Sequence, residues 1–133
     1  MARVLVVDDD ELFVKLMCHS LKQKGHTVEF AVDGQKGWKA FSEGTFDVVV
    51  CDIVMPEQEG IETIKRMRKQ NAEVGIIAIS GGLSRSGTSN LDVLDIVTKL
   101  GANATLKKPF PLSELAACVD RVLTRNEPQV QAG

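Results

Sequence analysis

The sequence predicts an α/β domain in which a five-stranded parallel sheet lies between two layers of helices. Two observations indicate this class. Short apolar runs alternate with segments of helical period along the chain, and most of these runs are apolar at consecutive positions, which is typical of strands buried on both faces. Helices must then cover both sides of the sheet, giving a three-layer sandwich with five helices. The length of 133 residues suits one such domain.

Composition supports a globular protein and excludes several other classes. Hydrophobic residues make up 44% of the chain and charged residues 26%, which argues against disorder. The net charge of −2 gives no general attraction to nucleic acid, so we expect no direct nucleic-acid contact. No apolar stretch is long enough for a signal peptide or a membrane span, so we expect a cytoplasmic protein without membrane insertion. The cysteines lack metal-ligand spacing and are expected to be buried free thiols: Cys18, Cys51 and Cys118.

The first strand and helix have clear patterns. Arg3–Val7 is an apolar run of the buried-strand type. A helix is predicted from Glu11 to Lys24, and Gly25 ends it. The apolar residues assigned to one face of this helix are Leu12, Phe13, Leu16, Met17 and Leu21.

The remaining elements follow in the same alternation. Thr27–Ala31 alternates weakly, as an edge strand does, and a short helix follows over Gln35–Glu43. Three further strands are predicted at Asp47–Cys51, Gly75–Ile79 and Ala104–Lys107. The three helices that follow them are predicted at Gly60–Gln70, Leu91–Leu100 and Leu112–Arg125.

The strand order can be inferred from the burial expected of each strand. Right-handed crossovers restrict a parallel sheet to a few doubly wound orders. The second strand has the polarity of an edge, whereas the first and third look fully buried, which favours the order 2-1-3-4-5. We expect the domain to cover residues 1–125, followed by a flexible C-terminal tail over residues 126–133, which show no periodicity.

Polar residues follow four of the predicted strands. Asp8 and Asp9 follow the first strand, Asp52 the third, Ser80 the fourth and Lys108 the fifth. The carboxyl ends of parallel strands meet at one crevice, so these side chains should converge. Three carboxylates repel one another unless a cation is present, and Mg²⁺ prefers such oxygen ligands.

This group of residues predicts phosphoryl transfer. A carboxylate beside Mg²⁺ and an ammonium group is a suitable nucleophile for a phosphoryl group. Lys108 would share the charge on the transferring oxygens, and Ser80 would donate a hydrogen bond to one of them. The predicted acceptor is Asp52.

Four segments at the strand ends resemble the motifs of a known family. They are Val6-Val7-Asp8-Asp9, Asp52-Ile53-Val54-Met55-Pro56 with Gly60, Ile79-Ser80-Gly81, and Lys108-Pro109-Phe110. In this order they are similar to the motifs of response-regulator receiver domains of two-component signalling, including the chemotaxis regulators. The resemblance extends roughly from Arg3 to Thr124 and implies a flavodoxin-like fold.

The resemblance also implies roles for individual residues. Asp52 would accept the phosphoryl group. Asp9, Asp52 and the backbone carbonyl of Val54 would bind Mg²⁺ directly, with Asp8 acting largely through water. Ser80 would move toward the phosphoryl oxygens and Lys108 would be their ionic partner. The peptide bond that joins Lys108 to its proline would be cis.

The implied partners are proteins. The phosphoryl donor would be a histidine kinase or a histidine phosphotransfer protein, and the protein would be a signalling phosphoacceptor rather than an enzyme in the usual sense. The first helix would be the docking surface, with Val14 and Lys15 as exposed candidates. The fourth helix, fifth strand and fifth helix would contact a downstream protein target. The apolar fourth helix also suits a homodimer contact.

Several residues depart from the family pattern. Thr105 replaces the aromatic residue that many members place three positions before the lysine, so no aromatic switch is expected. The segment from Gly81 to Asn90 is longer than usual and is expected to be a mobile loop. Neither Val54 nor Gly82 can position an attacking water through its side chain, so we expect slow dephosphorylation of Asp52.

Two alternatives remain open from the sequence. A flavodoxin-type electron carrier has a similar fold, but it would need a hydroxyl-rich phosphate loop after the first strand, where this chain has acids. A degenerate receiver would act only as a scaffold, without phosphorylation.

His19 and His26 lack partner carboxylates at ligand spacing and are expected on the surface.

Overall fold

The computed structural model describes residues 2–53, 59–81 and 90–125, in which five strands alternate with five helices. The strands are β1 (Arg3–Val7), β2 (Thr27–Ala31), β3 (Val48–Asp52), β4 (Gly75–Ser80) and β5 (Ala104–Lys107). The helices are α1 (Glu11–Gln23), α2 (Gly34–Glu43), α3 (Glu59–Gln70), α4 (Asn90–Lys99) and α5 (Leu112–Thr124). Every element predicted from the sequence is present, and no end differs by more than one residue. The predicted tail and most of the predicted loop after Gly81 lie outside the described residues.

The strands form one parallel sheet in the order β2-β1-β3-β4-β5, which confirms the predicted order. Adjacent strands are closely aligned at their carboxyl ends. Asp52 of β3 pairs with Ile79 of β4, and Ser80 pairs with Lys107 of β5. The residues that follow these strands therefore emerge at one edge of the sheet.

Two apolar cores cover the two faces of the sheet, because consecutive strand side chains point in opposite directions. Val4 and Val6 of β1 belong to the core formed with α1 and α5. Leu5 and Val7 belong to the opposite core, to which α2, α3 and α4 contribute Phe41, Ile64, Met67 and Val97. The three cysteines are buried free thiols, as expected.

The buried face of α1 differs from the predicted one. Leu12 and Leu16 are exposed, whereas the residues that pack into the core are Val14, Met17, Cys18 and Leu21. This buried set has helical spacing, and contacts with the sheet and α5 select it over the adjacent leucines. Val14 is only 1% exposed, so its prediction as a docking candidate was wrong, while Lys15 is exposed.

His26 is also placed differently from the prediction. The residue is buried, and its Nδ1 accepts a hydrogen bond from the Ala2 amide at 3.2 Å. His26 Nε2 lies 3.9 Å from Asp120 Oδ1 on α5. Sequence spacing could not reveal these contacts, because both partners are far away along the chain. His19, by contrast, is exposed as predicted.

Among the residues that the structure describes, no helix has both the length and the apolar character required to cross a membrane.

Candidate functional site

The carboxyl edge of the sheet brings the predicted side chains together. Asp8 is the first residue after β1, Asp52 and Ser80 are the last residues of β3 and β4, and Lys108 is the first residue after β5. Asp9 follows Asp8 in the connection to α1. Because these strands are parallel and adjacent, the residues at their carboxyl ends lie close together, and no additional loop is needed to bring them there. Val54, the remaining predicted metal ligand, lies outside the described residues.

Three carboxylates form the centre of this site. One oxygen each of Asp8, Asp9 and Asp52 lies within 4.8 Å of the others. Asp8 and Asp52 are buried, whereas Asp9 is exposed. Asp8 Oδ1 accepts a hydrogen bond from the Asp10 amide at 2.9 Å, which fixes the carboxylate at the start of α1. Charges of the same sign at this separation repel strongly.

Within the described part of the chain, Lys108 supplies the positive charge of the cluster. Its Nζ lies 3.0 Å from Asp8 Oδ2 and 3.0 Å from Asp52 Oδ2, and its side chain is 25% exposed. Burial by itself would lower the pKa of Lys108, but the charges and hydrogen bonds of Asp52 and Asp8 outweigh it and raise the pKa. The ammonium group therefore stays protonated at neutral pH.

One ammonium group does not balance three carboxylates. Although Asp9 is exposed, neighbouring protein atoms partly desolvate its carboxylate; this desolvation, followed by the charge of Asp8, raises the pKa of Asp9 above its ordinary value of 3.8. The charged form of Asp9 is thus disfavoured in the protein alone, and a second cation beside it would relieve the repulsion.

The donor set fits a divalent magnesium ion. Mg²⁺ prefers carboxylate, carbonyl and water oxygens, and the cluster offers three carboxylates at one edge of the sheet. Ser80 Oγ lies buried at the same edge and has no hydrogen-bond partner among the described residues. Leaving a buried hydroxyl without a hydrogen-bond partner costs folding free energy. Ser80 therefore marks a place where an oxygen atom of a bound molecule could accept a hydrogen bond.

Gly60 lets the start of α3 pack closely against the end of β3, the strand that carries Asp52. A Cβ atom at this position would lie 2.2 Å from the Asp52 carbonyl oxygen and 2.5 Å from Ile53 Cα. Only glycine lets the first turn of α3 approach the end of β3 so closely. The sequence motif contains Gly60, but the motif alone does not reveal this contact.

The cis peptide bond and the buried Cys51 that were expected from the sequence are both confirmed. The Lys108–Pro109 peptide bond is cis. Asp10 is the N-cap of α1, and its side chain accepts a hydrogen bond from the Phe13 amide. Lys107 is exposed, and Cys51 is buried, which raises the pKa of its thiol.

Phe13 is a neighbour of the site that the sequence did not reveal. The Nζ atom of Lys108 lies 4.9 Å from the centroid of the Phe13 ring. Helical spacing assigned Phe13 to a packing face, and no motif or spacing links it to a lysine so far along the chain.

Comparison with known proteins gives consistent matches over nearly the whole chain. The family model of the response regulator receiver domain matches residues 4–120. The transcriptional regulatory protein RprY of Bacteroides fragilis is 33% identical over 123 residues, which are 92% of this chain and 50% of that protein. The chain thus spans about half the length of this relative.

Two solved structures extend the comparison to three dimensions. The chemotaxis protein CheY4 of Vibrio cholerae is 31% identical with a TM-score of 0.81, and the match covers 92% of this chain and 99% of that one. The response regulator TrrA of Thermotoga maritima, solved in complex with Mg²⁺ and BeF, is 28% identical with a TM-score of 0.78 over 92% of this chain and 100% of that one. Sequence, topology and site geometry agree, and the chain belongs to the response regulator receiver domain family, whose role is signalling rather than metabolism.

Proposed function

We propose that the protein is a phosphoacceptor of a two-component or phosphorelay system, and that Asp52 receives the phosphoryl group. The observation that carries this proposal is the buried Asp52 carboxylate, held 3.0 Å from Lys108 Nζ inside a cluster of three carboxylates. The match to TrrA, a relative solved with Mg²⁺ and BeF, supports a similar ion at this site. The receiver would cover residues 1–125, with residues 126–133 as a tail.

The proposed donor is a phosphohistidine of a histidine kinase or a histidine phosphotransfer protein. An Asp52 carboxylate oxygen attacks phosphorus and forms an acyl phosphate, while the phosphorus–nitrogen bond of the donor breaks and its electron pair returns to the imidazole. The Lys108 ammonium neutralises charge on the phosphoryl oxygens, and the Ser80 hydroxyl donates a hydrogen bond to one of them.

The proposed metal site consists of Asp9, Asp52 and the backbone carbonyl of Val54 as direct ligands, with Asp8 acting largely through water. When bound, Mg²⁺ supplies positive charge that offsets the carboxylates and the phosphoryl oxygens. The role of Asp8 is to orient this region, because its Oδ1 is held by the Asp10 amide and its Oδ2 faces Lys108.

We also propose that the output passes through protein contacts in the cytoplasm. The surface formed by α4, β5 and α5 would contact a downstream protein target or a second copy of the chain, and exposed Ile96 lies on this surface. No direct contact with nucleic acid or membrane is proposed for the receiver itself. A flavodoxin-type electron carrier gains no support, because the buried Asp8 at the end of β1 would repel a flavin phosphate.

The test is incubation with acetyl phosphate and Mg²⁺, followed by intact mass measurement. We expect a mass gain of one phosphoryl group, which disappears in Asp52→Asn and when a chelator removes the metal. An unchanged mass for the wild-type protein with both acetyl phosphate and a phosphohistidine donor would favour a scaffold role instead. An adduct that persists in Asp52→Asn would place the acceptor elsewhere.

A further inference from the structure

The aromatic ring of Phe13 lies beside the ammonium group of Lys108. The separation of 4.9 Å between Lys108 Nζ and the ring centroid is within the range of a cation–π contact, in which the face of the ring attracts the cation. Among the residues that the structure describes, the ammonium group also contacts the carboxylates of Asp8 and Asp52, each at 3.0 Å. The ammonium group is thus held by two acids and one aromatic face.

Two independent contacts hold Phe13, one through its ring and one through its backbone amide. The ring centroid lies 5.5 Å from that of Phe110, in an edge-to-face arrangement with an interplanar angle of 66°, a favourable geometry for aromatic pairs. Its backbone amide donates to Asp10 Oδ1 at 3.1 Å, which anchors the first turn of α1. The ring is therefore already in place before any ligand arrives.

Lys108 needs such support because its side chain is long and flexible. It is partly exposed, and beside it lies a cavity of about 210 Å³ lined by Asp10, Phe13, Lys108, Pro109 and Phe110. Without an attractive surface on this side, the ammonium group could turn toward solvent and leave the carboxylates. The aromatic ring occupies this side and favours the conformation that reaches Asp52.

We propose that Phe13 is a positioning residue, which holds Lys108 Nζ against Asp52 and so accelerates phosphorylation. The rate effect rests on the proposed function of Asp52, whereas the contact itself can be tested without phosphorylation. Phe13 would act only through Lys108 and would not touch the phosphoryl group.

The kinetic test uses acetyl phosphate at saturating Mg²⁺ and compares Phe13→Leu with Phe13→Tyr. We expect the maximal phosphorylation rate of Phe13→Leu to fall roughly three- to tenfold, the range for loss of a half-buried cation–π contact. Phe13→Tyr keeps the aromatic face and should retain the wild-type rate. Phe41→Leu is the matched control, because it removes a ring from the opposite core and should lower stability without changing the rate.

A double-mutant cycle separates positioning from general damage to the fold. In a Lys108→Ala background, Phe13→Leu should cause no further loss of rate, because the group that it positions is already absent. The same fold loss in both backgrounds would overturn the proposal.

An NMR measurement tests the contact directly. The order parameter of the Lys108 Cε methylene, assigned by its absence in Lys108→Arg, should fall in Phe13→Leu and stay high in Phe13→Tyr. An unchanged order parameter in Phe13→Leu would overturn the proposal even if the rate falls. If the wild-type protein is not phosphorylated at all, the proposed function fails, but the order parameter still decides whether Phe13 restrains Lys108.

Discussion

At the scale of single residues, the site depends on carboxylates that differ in their surroundings. Asp8 and Asp52 are buried and share the Lys108 ammonium group. Asp9 is exposed at the rim, and partial desolvation, followed by the charge of Asp8, raises its pKa. The metal-free fold therefore carries an electrostatic cost that a cation or a proton can remove.

Asp9→Asn is expected to stabilise the metal-free protein. The raised pKa of Asp9 in the folded state means that its charged form costs stability at neutral pH, and that this cost is lost as pH falls through the raised value. We expect a gain of about 0.5–1 kcal/mol at neutral pH, a small value because solvent screens an exposed carboxylate. Urea unfolding in the presence of a chelator measures it.

The control for this substitution is Asp33→Asn, which removes a similar charge at the N-cap of α2, away from the cluster. Asparagine caps helices about as well as aspartate, so its stability should change little. The gain for Asp9→Asn should vanish below the ordinary aspartate pKa of 3.8. A gain that is the same at all pH values would contradict the electrostatic explanation.

At the scale of secondary-structure elements, close packing at the ends of strands and helices holds the site in place. The start of α3 touches the backbone of Asp52 through Gly60. At the other end of the same helix, Arg68 donates to the carbonyl oxygens of Ala72 and Gly101 and to Asn103 Oδ1. Helix α3 is therefore held at one end by the end of β3, which carries Asp52, and at the other end by the turn before β5.

Gly60→Ala is expected to destabilise the protein by about 1–3 kcal/mol, because the added methyl group would overlap the Asp52 carbonyl and force α3 to move. The same shift should lower the rate of phosphorylation by acetyl phosphate. Gly44→Ala is a suitable control, since the nearest atom to its Cβ is the edge of the Phe46 ring at 3.0 Å. Equal losses for both variants would argue against a special role for Gly60.

Arg68→Lys is expected to cost about 1–3 kcal/mol, because an ammonium group cannot reproduce the fork of hydrogen bonds that joins α3 to the α4–β5 turn. Urea unfolding measures the loss. Arg66→Lys serves as the control: Arg66 lies 4.5 Å from the centroid of the Trp38 ring, and lysine can keep that contact. A neutral result for Arg68→Lys would mean that backbone hydrogen bonds alone hold the turn.

The helices also show which structural features the sequence pattern can predict. The period of apolar residues located α1 to within one residue, but its core face was assigned to Leu12 and Leu16 instead of Val14 and Cys18. Two adjacent arcs of α1 are apolar, and only the position of the sheet and α5 selects one. The strand-end residues were easier to predict, because parallel topology alone brings Asp52 and its partners together. The contact of Phe13 with Lys108 depends on side-chain conformation and had no sequence signal.

At the scale of the whole molecule, the fold separates stabilising and reactive regions. The two cores are apolar and lie on opposite faces of the sheet, while the acidic cluster is confined to one edge. A cation that binds at this edge stabilises the native state alone, because the unfolded chain does not gather Asp8, Asp9 and Asp52. Metal affinity and folding stability are therefore linked.

We expect Mg²⁺ to raise the free energy of unfolding by about 2.7 kcal/mol at a concentration one hundred times its dissociation constant. Protons compete for the same carboxylates, and the raised pKa of Asp9 means that the Mg²⁺ effect starts to decline at a higher pH than for an ordinary aspartate. Urea unfolding at several pH values, with NaCl of matched ionic strength as the control, measures both effects. Asp9→Asn should weaken the response to Mg²⁺. Equal stabilisation by NaCl would mean that the effect is general charge screening and would contradict a magnesium site. A specific site must respond to the divalent ion at concentrations where monovalent salt has no effect.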